Sequence, residues 1–256
     1  MEIKNLKKAA QRIEKAILNK EKIILYGDAD LDGVASLLLL KEAIQNLGGQ
    51  IAAVYFPDRE EEGYGISKKA LERLKEKAPA LFVALDCGIT NFEEISLAKK
   101  LGFEIIVIDH HEVLDKLPEA EIIVDPKQKS DKYPFKELAT VGIVYKLSEI
   151  LLGEMSEMLK KSFLELVALA TIADCMPKEN ENKIMIEEGL LSIEKSWRPG
   201  IKAFFEERSF ENYDTSHKVS KLISLLNVRD VQNQLPASYR LLISPSLEET
   251  KKFLII

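Results

Sequence analysis

The sequence predicts an α/β fold, a mostly parallel five-stranded sheet flanked by helices and followed by a helical C-terminal portion. Three observations lead there. Short apolar runs alternate with helix-periodic stretches from about Leu6 to Val124, the pattern of repeated βαβ units. Several of these runs are continuously apolar, as strands covered on both faces should be. From about Glu137 onward only helical periodicity remains.

An amphipathic helix at about Leu6–Leu18 opens the chain. Strands are then predicted at Lys22–Tyr26, Gln50–Phe56, Leu81–Leu85, Glu104–Ile108 and Glu121–Val124. Helices at Gly33–Leu47, Ser67–Lys77 and Asn91–Leu101 separate them. The segments ATVGIVYKLSEILLG and SEMLKKSFLELVALATIADCM read as long helices, with shorter ones around Ile184–Ser196 and Pro199–Glu207. The polar stretch Glu207–His217 is the best hinge, so residues 1–207 are expected to form the main domain and 208–256 a helical extension or the start of a linker. The apolar end LEETKKFLII lacks a C-cap and reads as an element continued in a longer chain or docked on a partner.

Composition narrows the functional classes. A chain of 256 residues with 46% hydrophobic and 30% charged residues is long enough for a sizeable core. Its formal charge of -6, from 36 Lys plus Arg against 42 Asp plus Glu, does not announce a nucleic-acid binder, so any basic groove must be local. No hydrophobic leader and no stretch of ~18 uncharged apolar residues is present, which predicts a cytoplasmic protein without membrane contact. Cys87 and Cys175 are too few for a disulfide framework and read as small residues filling space under loops.

In open parallel sheets, ligands sit beyond the carboxyl ends of the strands. Here those positions are acidic three times over: KIILY leads into GDADLDG with Asp28, Asp30 and Asp32, LFVAL into Asp86, and EIIVI into Asp109, His110 and His111. Each Asp alone could be an N-cap or an Asx-turn. Five carboxylates and two imidazoles on one edge would instead repel one another and resist burial unless cations neutralised them. Oxygen-rich ligation with a minority of imidazole suits Mn²⁺ or Mg²⁺, and the histidine favours Mn²⁺. Asp174, in the apolar run FLELVALATIADCMP, needs a partner, either a metal or a basic side chain. His217, alone in a polar stretch, reads as a solvent-exposed residue.

Taken in order, DADLDG, LDCGITN, IDHH and ATIADCMP resemble the four motifs of the DHH phosphoesterase superfamily. The loop FPDREEEGYGI and the segments ATVGIVYKL, ENENKIMIEEGL and SWRPGIKAFFE further resemble RecJ-type members, so the likeness runs from about Lys22 to Glu207. It implies metal ligands at Asp28, Asp30, Asp32, Asp86, His110 and Asp174, with two ions bound. It implies a catalytic set of Asp30, Asp109, His110 and His111, in which Asp109 orients the neighbouring histidine and His111 meets the scissile phosphate.

Three departures stand out. Tyr26 stands where many relatives have His, so one metal is expected to be held less fully. LISLLNVRDVQNQ only weakly echoes the family's Asn-Ala-Ala-Gly-Arg segment, with Val231 in place of the Arg. The family's glycine-rich associated domain is not among these residues.

The reaction implied by the resemblance is phosphodiester hydrolysis without a covalent intermediate, on single-stranded DNA or RNA, with a replication or repair protein as a partner. Arg59 and Tyr64 are the nearest candidates for gripping a strand, although Arg59 could instead pair with the glutamates of its own loop. Within the same chemistry, short oligoribonucleotides or cyclic dinucleotides are alternatives. A replication-associated scaffold of the same fold is the alternative from another class. A pyrophosphatase is disfavoured by the RecJ-like loop.

Overall fold

The five apolar runs become the five strands of one parallel sheet in the computed structural model, which describes residues 2–191, 193–207, 212–227, 231–232, 234–248 and 250. Helix α1 (Leu6–Leu18) leads into β1 (Ile23–Gly27), α2 (Leu31–Asn46), β2 (Ile51–Tyr55), α3 (Lys68–Leu74), β3 (Ala80–Leu85), α4 (Phe92–Lys100), β4 (Phe103–Ile108) and β5 (Ile122–Val124). The strand order is β2-β1-β3-β4-β5, with every pair parallel. The chain leaves β1 toward β2 and returns to build outward from β1's other side. The β1/β3 boundary is therefore the topological switch point, where an open α/β sheet binds its ligand.

Side-chain alternation sorts each strand onto two cores. Ile23, Leu25, Leu81, Val83, Leu85, Ile106, Ile108 and Val124 face α1, α2 and α5 (Thr140–Leu152). Ile24, Tyr26, Phe82, Ala84, Ile105 and Val107 face α3 and α4. Helix α2 is buried nearly all round, because α5 and α6 (Glu157–Ala173) cover it on the side away from the sheet. Then follow α7 (Asn180–Leu190), α8 (Pro199–Phe205), α9 (Thr215–Leu226), a short antiparallel pair β6 (Val231–Gln232) and β7 (Leu235–Pro236), and α10 (Ala237–Leu242).

Two boundaries and one element differ from expectation. The helix expected over Ser67–Lys77 stops at Leu74 and tightens into a 3₁₀ turn over Lys75–Lys77. Ala78, which precedes Pro79, is held extended at ψ 148° and cannot continue a helix. The helix expected from Ile184 begins at Asn180. The β6–β7 pair within the expected helical extension was not anticipated, since two-residue strands carry no periodicity. Residues beyond 207 return to the main core: Val219, Leu222, Leu226, Tyr239, Leu241 and Leu242 are buried in it, and the Tyr239 ring lies 5.1 Å from that of Phe56. Residues 208–211 of the expected hinge, 228–230 and 233 of LISLLNVRDVQNQ, and the chain end after Thr250 lie outside the described residues.

Candidate metal centre

The loop after β1 turns straight into α2, and Asp30 caps that helix by accepting from the Gly33 backbone N–H at 3.1 Å. The turn is so tight that a Cβ on Gly33 would lie 2.3 Å from the Asp28 carbonyl oxygen, so only glycine fits. Asp32, in the first turn of α2, is fully buried and accepts from the first two N–H groups of α5, Thr140 at 2.8 Å and Val141 at 2.9 Å. Two helix starts thus converge on one carboxylate. Asp86 follows β3 with φ 61°, a left-handed conformation that Asp tolerates better than most residues, and accepts from the Thr140 hydroxyl at 3.0 Å. Asp109 follows β4, and Asp174 caps the C-terminal end of α6.

These elements bring all the expected ligands together. Ligand atoms of Asp28, Asp30 and Asp86 lie within 4.8 Å of one another, as do those of Asp32, His110 and Asp174, and those of Asp86, His110 and His111. Asp86 belongs to two of these groups and His110 to two, so the constellation is continuous. The imidazole of His110 is buried, and neither ring nitrogen has a hydrogen-bond partner among the described residues. Its Nε2 lies 3.4 Å from Asp174, 3.5 Å from Asp86 and 3.9 Å from Asp32. An unpartnered imidazole aimed at three carboxylates fits a divalent cation with mixed oxygen and nitrogen ligands.

Electrostatics point the same way. Burial, then repulsion from Asp30 and Asp174, pushes Asp32 up to about 8. Burial, with Asp32 and Asp30 adding to it, raises Asp86 well above the usual carboxylate range. Burial also pushes Asp174 up to about 6. Asp28 is raised by burial despite its bond to Arg59. His110 is pushed down to about 4 by burial and by His111, which leaves a neutral ring with a lone pair.

A consequence follows for the protein in EDTA. Asp32 holds its proton more tightly folded than unfolded, so stability falls as pH rises toward about 8. The depressed His110 has the opposite sign, adding stability between about 4 and its ordinary 6.5, so the fall is cleanest above about 6.5. Melting temperatures measured in EDTA should therefore drop from pH 6.5 to 8, and excess Mn²⁺ should flatten the drop by replacing the proton. A profile flat in EDTA would contradict the buried-carboxylate origin.

Asp109 has a different task. Its carboxylate accepts from the backbone N–H groups of Ile89 at 3.0 Å, His110 at 2.8 Å and His111 at 3.2 Å, and lies 2.7 Å from His111 Nδ1. Burial works against its charge, but the bond to His111 holds it below the usual range. The same bond raises His111 despite burial. The ring that Asp109 orients is thus that of His111, not of the intervening His110.

Arg59 pairs with Asp28 and, at 2.9 Å, with Asp30, rather than with the glutamates of its own loop. Of those glutamates, Glu62 has a buried side chain that accepts from Tyr55 at 2.9 Å and from Ser67. Tyr64 reaches the Asp86 carbonyl at 3.2 Å and His111 Nδ1 at 3.2 Å, with the Arg59 guanidinium 5.7 Å from its ring. Tyr26 does not stand in the donor set. Its ring is buried in the second core against Tyr55 and Phe82, and its hydroxyl donates to Gly65 O at 2.9 Å, fastening the Arg59 loop from below. Cys87 is buried as expected, whereas Cys175 is exposed because it turns outward at φ 55° just past α6. His217 is exposed, 3.0 Å from Asp214.

Two residues near the site escaped the sequence. Thr140 orients both Asp32 and Asp86 from the start of α5, and nothing in ATVGIVYKL marks its side chain as special. Asp125 directly follows β5 and is fully buried. The rule that singled out the other carboxylates would have found it.

A model of the DHH family, N-terminal domain, matches residues 22–171. The single-stranded-DNA-specific exonuclease RecJ of Bacillus subtilis is 43% identical over 201 residues, covering 78% of this chain and 25% of that protein. The enzyme of the same name from Thermus thermophilus is 33% identical over 207 residues, covering 80% of this chain and 30% of that protein. The chain thus spans a quarter to a third of the length of these two relatives. A crystal structure of exonuclease RecJ bound to manganese superposes with a TM-score of 0.84 at 26% identity, covering 99% of this chain and 64% of that one.

Proposed function

The chain belongs to the DHH family, and from that premise we propose that it is the catalytic portion of a metal-dependent exonuclease acting on single-stranded nucleic acid, like the RecJ enzymes it resembles. The observation that carries this is the unpartnered imidazole of His110 among Asp32, Asp86 and Asp174. In this assignment Asp28, Asp30 and Asp86 would hold one cation, and Asp32, His110 and Asp174 a second. Mn²⁺ suits the nitrogen donor better than Mg²⁺. Such cations would supply a water of lowered pKa and positive charge for the departing oxygen.

The protein's own groups supply the rest. His111, its Nδ1 held by Asp109 and its Nε2 3.3 Å from the Tyr64 hydroxyl, meets the scissile phosphate and offsets charge there. The Arg59 fork, paired with Asp28 and Asp30, is the guanidinium placed to take a phosphate bidentately. The Tyr64 ring, 48% exposed, offers a face for base stacking. Residues 1–207 form the catalytic unit, with 208–256 as an extension. No helix among the described residues is long and apolar enough to cross a membrane. A cytoplasmic setting and a replication or repair protein as partner complete the proposal.

Product analysis tests it. Single-stranded DNA and RNA oligomers labelled at the 5′ or 3′ end are incubated with Mn²⁺ and the protein, with Asp30→Ala as control. Stepwise mononucleotide release, lost in the variant, is the expected result and reveals polarity. No cleavage of any strand would defeat the exonuclease assignment in favour of a short-substrate phosphodiesterase or a scaffold.

A further inference from the structure

Lys127 is a cation that the assignment above leaves unused. It sits two residues past Asp125 on a turn held from several sides. Asp125 Oδ1 accepts its backbone N–H at 2.7 Å, and Gln128 Nε2 donates to Ile123 O at 3.2 Å and to Asp125 O at 3.1 Å. Pro126 fixes a further φ.

The side chain of Lys127 is only 16% exposed, yet its ion-pair partner Glu112, 3.0 Å away, is 84% exposed. Such a pair, screened by water, does not compensate the freedom and hydration a lysine gives up when drawn inward. Lys127 nevertheless stands at the edge of the site: β5, which it follows, pairs with β4, the Asp109 N–H donates to Val124 O at 3.0 Å, and Glu112 directly follows His111. Arg59 lies against Asp28 and Asp30, at the other end of the same acidic cluster. In the strand order the carboxylates paired with Arg59 follow β1 and Lys127 follows β5, with β3 and β4 between, so two cations flank the cluster from opposite ends, each on a braced segment.

We infer that Lys127 contacts a phosphate of the single strand on the β4–β5 side of the site, opposite Arg59. Glu112, mostly in solvent and directly after His111, holds the ammonium at the rim and yields it to a phosphodiester oxygen. The inference rests on the strand-binding part of the proposed function.

The test measures anisotropy of a labelled single-stranded oligonucleotide across a salt series, with cleavage in Mn²⁺ followed in parallel, for wild type, Lys127→Ala and Lys127→Arg. One lost phosphate contact on a single strand reduces the slope of log K against log salt by about 0.7. Lys127→Ala should show that loss with affinity down about tenfold at low salt and an unchanged melting temperature, and Lys127→Arg should restore the slope. An unchanged slope and affinity in Lys127→Ala, with wild type binding and degrading the strand, overturns the inference alone. Wild type that binds with a Lys127-dependent slope but does not degrade supports the contact and removes the exonuclease assignment. Wild type that neither binds nor degrades removes both.

Discussion

Replacing Asp86 by Asn is expected to lower the proposed Mn²⁺-dependent strand hydrolysis by about 10²–10⁴-fold while the chain stays folded. The loss follows from removing a full charge shared by two ligand groups. Charge stabilisation of this kind is worth several kcal/mol in the transition state, and each 1.36 kcal/mol is tenfold in rate. Folding survives for three reasons. Asn keeps the shape, accepts the Thr140 hydroxyl as Asp86 does, and adopts the left-handed backbone at φ 61° without new strain. In EDTA the variant should melt no lower than wild type, since a buried carboxylate repelled by Asp32 and Asp30 has been neutralised. Steady-state rates in Mn²⁺ and melts in EDTA check both halves, and near wild-type hydrolysis would sink the ligand assignment.

The largest expected effect on stability lies away from the metal centre. The Arg198 side chain is 3% exposed and grips Glu42 of α2 with two bonds, at 2.8 and 2.7 Å. Its backbone N–H donates to Ser196, whose hydroxyl donates to the buried Glu165 of α6 at 2.6 Å. This network ties the start of α8 to the two helices that carry Asp30, Asp32 and Asp174. Breaking a buried pair from one side costs about 3–5 kcal/mol because the other charge is stranded. Glu42, 21% exposed, recovers some hydration, which places Arg198→Ala near the lower figure. A drop of about 6–12 °C in melting temperature is the corresponding expectation. Glu42→Gln combined with Arg198→Met should cost less than the two single changes added, and strict additivity would show that the pair is not coupled.

Much of this organisation was legible in the sequence, for identifiable reasons. Strands covered on both faces write continuous apolar runs, so KIILY, LFVAL and EIIVI announced β1, β3 and β4 within a residue or two. A parallel sheet then obliges the residues after those runs to share one edge, which is how Asp28, Asp86 and Asp109 could be grouped before any coordinates. Pairings between distant segments left no such trace. That Arg59 would choose Asp28 over its neighbouring glutamates depends on how Glu62 is already engaged by Tyr55 and Ser67. The reach of the α5 N-terminus to Asp32 spans 108 residues. Tyr26 was noted only as a departure from His, and its actual place could not be read from the motif: strand alternation sends its ring into the core under α3 and α4. The return of α10 onto Phe56 lay beyond periodicity, in a helix of six residues.

The left-handed backbone at position 86 also shapes how such a site could be lost over generations. Most residues placed there would meet steric strain in addition to lost charge, and a lineage carrying them would be screened out on folding as well as on activity. Asn and Gly escape the backbone penalty. A descendant that abandons hydrolysis while keeping the fold for another purpose is therefore expected to change Asp86 to one of these two first, long before the surrounding core begins to drift.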